Sequence, residues 1–154
     1  NAFGIIQGLE TLSVRIKKHS KSALKLAQWL EKQEEVSWVN YPGLKSAPYH
    51  ELAKKYLPKG QSGLVTFGLK GGYEAAQKVV DSVKYFSLLA NIGDTKSLII
   101  HPASTTHQQL SEGDQLKTGV SQDLIRLSVG LEDLKDLKAD LKEAFKKVQS
   151  LVEK

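Results

Sequence analysis

The sequence predicts an α/β domain of the α+β kind: a small antiparallel or mixed sheet with helices packed on one face. Three observations carry this. Amphipathic helical stripes occupy both ends of the 154 residues. Short β-rich segments bounded by glycine and proline lie between them. Strands alternate with helices, but without the regular repeat of a doubly wound parallel sheet.

From about Ile5 to Lys32 the residues Leu9, Leu12, Ile16, Ala23, Ala27 and Leu30 recur at helical spacing, which predicts one long amphipathic helix. Residues 1–32 are therefore read as a connecting helix that leads into a domain over 33–154. The alternating Val36–Tyr41 segment predicts a strand, stopped by the Pro42-Gly43 turn. A short helix is expected around Tyr49 to Tyr56, then a strand over Leu64–Leu69. Gly71-Gly72 opens a helix from Tyr73 to Val83 with Ala76, Val79, Val80 and Val83 inward. An apolar stretch from Phe86 to Ile92 precedes a strand over Ser97–Ile100. The polar region Ala103–Ser121 reads as loop-like with one helical turn. Leu124–Val129 is the last strand. Leu134, Leu137, Leu141, Phe145 and Val148 form the stripe of a closing helix that extends to Val152.

Composition narrows the function classes. Cysteine is absent, so no disulfide framework, thiolate metal site or cysteine nucleophile exists, and a reducing cytoplasm is the expected location. No apolar run approaches the ~20 residues of a membrane span, so no membrane partner is expected. Methionine is also absent and the sequence opens on Asn1, from which a cut through a longer polypeptide is expected. The net charge of +5 raises nucleic acid as a partner. The lysines are scattered among acids, however, and no aromatic residues interleave with them as stacking platforms. A solvated surface explains the charge better, and no nucleic-acid partner is expected.

Arg126 is the most informative single residue. In Leu124-Ile125-Arg126-Leu127-Ser128-Val129 it lies on the face opposite Ile125, Leu127 and Val129. A guanidinium stays charged and is costly to bury unpaired, and its planar fork matches a carboxylate. Its partner is either an internal Asp or Glu or the carboxylate of a substrate. Ser97 follows a loop rich in backbone donors and can help to hold an anion, although a plain strand-entry serine is the commoner arrangement. His101 and His107 frame a short polar loop with no third ligand beside them, so hydrogen-bonding roles are favoured and no metal is expected. G-x-S-x-G, P-loop and G-x-G-x-x-G patterns are absent.

Four motifs, in order, carry a resemblance. They are Gly8-Leu9-Glu10-Thr11-Leu12 with Arg15 and His19, then Val39-Asn40-Tyr41-Pro42-Gly43-Leu44, then Ser97 to His107, and Leu124 to Asp133. Together they resemble the C-terminal domain of the Cys/Met-metabolism family of pyridoxal-phosphate enzymes, over almost the whole chain. Lyases and synthases that handle cystathionine usually read like S-L-G-G-x-E-S before the third motif. Asn91-Ile92-Gly93-Asp94-Thr95-Lys96-Ser97 and His107-Gln108-Gln109-Leu110 here are more similar to the O-acetylhomoserine (O-acetylserine) sulfhydrylase branch.

That resemblance implies the small, substrate-closing domain of a fold-type I pyridoxal-phosphate enzyme, with the cofactor domain absent from this chain. It implies Arg126 and Ser97 as holders of the substrate carboxylate, and Thr106 and His107 as residues lining the active site. The cofactor is pyridoxal phosphate, bound to a lysine upstream in a motif like S-x-T-K. Gly93 stands where the serine of that motif would be before Thr95-Lys96, so Lys96 is not that lysine and no catalytic residue lies in this chain. The implied partners are an amino-acid substrate, sulfide and the chain's own N-terminal cofactor domain, in a homotetramer when full length. Alternatives left open are the same domain of a cystathionine γ-synthase, cystathionine γ-lyase or methionine γ-lyase, and a non-catalytic binding module.

Overall fold

The computed structural model describes residues 2–152. The elements are α1 (Ala2–Glu10), α2 (Leu12–Leu30), β1 (Val36–Asn40), α3 (His50–Tyr56), β2 (Leu64–Leu69), α4 (Gly72–Val80), β3 (Ser87–Leu88), β4 (Leu98–Ile100), α5 (Glu112–Lys117), β5 (Leu124–Ser128), α6 (Leu134–Lys146) and α7 (Gln149–Val152). A 3-10 turn covers Pro102–Ser104. The strands form one sheet in the order β1-β2-β5-β4-β3. The first three pairings along it are antiparallel and the β4–β3 pairing is parallel, so the sheet is mixed. Among the described residues no helix is long and apolar enough to cross a membrane.

One helix was expected over Ile5–Lys32, and the structure divides it at Thr11. The Arg15 guanidinium folds back to the Gly8 carbonyl at 2.6 Å, and its Nε reaches the Thr11 hydroxyl at 3.3 Å. Nothing in α1 is buried, so no packed stripe holds the two segments in line. Leu9, Leu12 and Ile16 share the helical spacing but stay exposed. The buried stripe of α2 begins at His19 and continues through Ala23, Leu26, Ala27 and Leu30.

The closing helix is likewise shorter than expected. Asp133 caps α6 by accepting the Lys135 N–H at 2.8 Å. The last turn tightens to three-residue hydrogen bonds, Lys147 N–H to Ala144 and Val148 N–H to Phe145, and α7 starts afresh. The region after Ala103 holds more helix than expected, because Ser111 caps α5 by accepting the Asp114 N–H.

The three longest packed helices lie on one face. α2 packs on β1 and β2, α4 on β2 and β5, and α6 against both helices. Val65, Phe67, Leu69, Ile99, Ile125 and Leu127 project from the sheet into this layer and meet Leu26, Leu30, Val79, Leu141 and Phe145. The Phe145 ring stacks parallel to Trp29, with centroids 6.1 Å apart, and meets the Phe67 ring edge-on.

The opposite face carries Asn40, Thr66, Arg126 and Ile100 in one cross-strand row, and Leu64, Ser128 and Leu98 in the next. Leu98, Ile100, Leu124 and Ser128 are buried, so this face is covered in part, while Thr66 and Arg126 stay half-open. Gly68 has a local purpose on that face. A Cβ there would strike Trp38 and Asp123, whose side chains join across the gap in a 2.8 Å bond from Trp38 Nε1.

Candidate functional site

The half-open row centres on Arg126. The middle of β5 fixes its backbone, between Thr66 of β2 and Ile100 of β4. Its guanidinium donates to the Asn91 backbone carbonyl at 2.9 Å. The ion pairs among the described residues are three surface pairs of lysine with a carboxylate three residues away, and Arg126 belongs to none of them. Of the two sequence-level readings, an internal carboxylate partner is therefore not what occupies this arginine. Most of its N–H donors remain available to a ligand arriving from the open side.

Asn91 is the residue that sequence reasoning missed. Its side-chain oxygen accepts the Ile92 N–H at 2.9 Å, and its backbone carbonyl is the one that meets Arg126. The one signal was its place in the loop, where the family's usual pattern has serine. Leu88, Leu89 and Ile92 around it are each more than half exposed, giving the site an apolar rim.

Ser97 is placed differently from Arg126. It is fully buried. Its N–H and hydroxyl both donate to the Glu132 carboxylate, at 2.6 and 2.7 Å, and its oxygen accepts the Gly130 N–H at 2.8 Å. A direct contact between Ser97 and a substrate carboxylate would have to open that knot. Gly130 is required there, since a Cβ would collide with the Thr95 carbonyl, the Ser97 nitrogen and Glu132. Ser97 thus joins the start of β4 to the end of β5, the strand that carries Arg126.

Thr106 and His107 hydrogen-bond to one another at 2.9 Å, in the turn after the 3-10 segment. Among the described residues no hydrogen bond ties either of them to Arg126. Gln115, buried on α5, holds this turn by donating to the Ala103 and His107 carbonyls. No cluster of three or more potential metal ligands occurs among the described residues. A cleft of about 390 Å³ lies between α6 and the chain after α4, lined by Lys84, Tyr85, Asp136, Asp140, Glu143 and Lys147 among others. It does not include Arg126 or Asn91.

Two buried groups brace the surroundings. Tyr41 donates to the Ser62 and Ser20 carbonyls, and burial pushes its phenol up to about 12. His101 is fully buried and donates from Nε2 to the Gln122 carbonyl at 2.8 Å, leaving Nδ1 to accept from Ser104. Burial holds its imidazole below the usual histidine range, although the Gln122 carbonyl, Asp123 and Asp81 pull the other way.

A pH dependence follows from this. Above about pH 6.5 the ring is neutral in both folded and unfolded chains, and its stabilisation is complete. As pH falls below that value the unfolded chain takes up a proton that the folded chain resists, and stability drops. Melting curves from pH 7.5 to 5 should show this slope, and His101→Gln should flatten it. An unchanged slope in the variant would assign the titration elsewhere.

The chain as a whole is similar to known proteins. The family model described as Cys/Met metabolism PLP-dependent enzyme matches residues 1–146. "O-acetyl-L-homoserine sulfhydrylase 1" of Thermus thermophilus is 56% identical over 145 residues, covering 94% of this chain and 34% of that protein. "Homocysteine synthase" of Schizosaccharomyces pombe is 49% identical, with 94% and 34% covered. A crystal structure of a Campylobacter jejuni protein assigned as an O-acetylhomoserine (thiol)-lyase, with a pyridoxyl-lysine, superposes with a TM-score of 0.88 at 53% identity, covering 95% of this chain and 35% of that one. The chain spans about a third of the length of the relatives it matches.

Proposed function

The chain belongs to the Cys/Met-metabolism family of PLP-dependent enzymes, and from that premise we propose that it is the substrate-closing C-terminal part of an O-acetylhomoserine sulfhydrylase. The full-length enzyme would convert O-acetylhomoserine, or O-acetylserine, and sulfide into homocysteine, or cysteine, and acetate. The sulfhydrylase names of the relatives support this branch over a γ-synthase or a γ-lyase. The observation that carries the role of this part is Arg126: a half-open guanidinium, without a carboxylate partner among the described residues, on the face away from the core.

The residues of this chain do not fit the cofactor. Among the described residues no lysine is buried, and Lys96 is exposed on its loop. We therefore assign pyridoxal phosphate, and the electron sink it supplies, to the other two thirds of the enzyme. What this part contributes is position. Arg126 receives the substrate carboxylate in a two-point grip, and the Asn91 carbonyl holds the guanidinium for it. Ser97 supports the grip by fixing the strand ends. Thr106 and His107 are assigned to the lining of the active site that the full-length enzyme would complete. Holding a reactant in one orientation is among the larger effects open to an enzyme.

The exposed Phe3, Ile5, Ile6 and Leu9 of α1 are an apolar surface suited to burial against the cofactor domain or another subunit of a homotetramer. Cytoplasmic residence is part of the same proposal and rests on the cysteine-free composition.

The test has two arms. The 154-residue chain mixed with pyridoxal phosphate should show no absorbance from a protein-bound cofactor. The full-length enzyme should release acetate from O-acetylhomoserine faster with sulfide than with cysteine as the nucleophile. A stoichiometric cofactor complex on the short chain, or a preference for cysteine, would contradict the reading.

A further inference from the structure

The loop that carries Asn91 has no side-chain anchor of its own. From Ser87 to Lys96 not one residue is buried, whereas Phe86 before it and Ser97 after it are. Its only regular pairing is the two-residue β3 ladder, Ser87 with Leu98 and Leu88 with Ile99. Packing therefore does not set where Asn91 sits.

Two carboxylates grip the ends of this loop. At the entry, Asp140 projects from the inner stripe of α6, only 8% exposed. Its Oδ1 accepts the Lys84 N–H at 2.8 Å, and its Oδ2 accepts the N–H groups of Tyr85 at 2.8 Å and Phe86 at 3.3 Å. At the exit, Glu132 accepts both the N–H and the hydroxyl of Ser97, and the neighbouring Leu131 N–H donates to the Thr95 carbonyl at 2.8 Å. Glu132 lies four residues past the end of β5, so the exit grip is tied to the strand of Arg126. Hydrogen bonds to ionised groups are the strong ones, and three or two of them on one carboxylate fix a backbone firmly.

We infer that Asp140 and Glu132 are positioning residues for the carboxylate subsite: they suspend the Asn91 loop at the height where its carbonyl orients the Arg126 guanidinium. This rests on the reading of Arg126 given above. Neither carboxylate touches substrate. Loosening either end lets Asn91 drift, and Arg126 then loses the bond that aims its fork. The first effect is on binding of the substrate in its ground state, which raises KM more than it lowers kcat.

The experiment uses the full-length enzyme with O-acetylhomoserine and sulfide, and the variants Asp140→Asn, Glu132→Ala and Glu132→Gln. In Asp140→Asn an amide NH2 faces at least one backbone N–H, so the entry grip is broken. KM should rise roughly tenfold, the equivalent of about one charge-assisted hydrogen bond, with kcat within about twofold and cofactor absorbance unchanged. Glu132→Ala should act the same way. Glu132→Gln keeps an acceptor for the Ser97 N–H and a donor for its oxygen, and should restore most of the lost affinity. A role confined to folding would lower the melting temperature and yield while leaving KM at the wild-type value in all three, and that result overturns the inference. If Asp140→Asn does not fold, the contrast between Glu132→Ala and Glu132→Gln decides alone. Arg126→Lys run in parallel separates the two claims. Normal kcat/KM in that variant removes the reading of Arg126 and this inference with it. A defect there, beside wild-type KM in the clamp variants, removes the inference only.

Discussion

Arg126→Lys in the full-length enzyme is expected to lower kcat/KM for the O-acetylated amino acid by roughly ten- to a hundredfold. Lysine keeps the charge but loses the planar fork, so two parallel hydrogen bonds to one carboxylate can no longer form. A hydrogen bond to a charged group contributes about 1.5–3 kcal/mol, and about 1.4 kcal/mol is a factor of ten. The absorbance of the bound cofactor should not change, because Arg126 is assigned to the substrate. Folding should survive as well, since the side chain is half-open and its internal bond goes to a carbonyl that an ammonium can also reach. Kinetics, absorbance and a melting curve on one preparation check all three. Loss of folding without a specific kinetic defect would instead make Arg126 a structural residue.

Phe145→Ala is expected to cost about 3–5 kcal/mol of stability, the range for removing a fully buried aromatic ring. Phe145 is 1% exposed and lies where α6, α2 and the sheet meet, between the Trp29 and Phe67 rings. Neither neighbour can fill the space alone, because Trp29 is fixed on α2 and Phe67 on β2. Urea unfolding of the 154-residue chain should show a lower midpoint with an unchanged slope. Phe145→Leu, which leaves less of a void, should cost clearly less. A cost for Phe145→Ala below about 1 kcal/mol would mean that the core is not organised around this ring.

The parts of the fold with a local signal were legible in the sequence. β2 has the expected bounds, and β5 ends one residue early, because both are runs of β-branched and large apolar residues closed by glycine or polar residues. The mixed sheet with helices on one face followed from the irregular alternation. β3 was not legible. Phe86–Ile92 is a mostly apolar stretch, broken by Ser87 and Asn91, with no regular alternation, and its two-residue ladder exists only through the pairing of Ser87 with Leu98 and Leu88 with Ile99. The break at Thr11 was hidden because apolar spacing continues through a helix that nothing packs against.

The site divides in the same way. Arg126 stood out because a lone arginine in an apolar strand demands a partner. Asn91 did not, because its link to Arg126 is a backbone carbonyl reached across 35 residues. Ser97 looks the same in sequence whether its hydroxyl faces a substrate or a glutamate 35 residues away, and the structure turns it to Glu132.

If Arg126 recognises a carboxylate, removing that carboxylate from the ligand is the most direct measurement. Binding of an unreactive amino-acid analogue and of the corresponding amine, identical but for the carboxylate, would be measured on the full-length enzyme and on Arg126→Lys. The wild-type enzyme should prefer the amino acid strongly, and Arg126→Lys should weaken that ligand by roughly tenfold or more while leaving the amine unaffected. An equal loss for both ligands, or none for either, would contradict the claim.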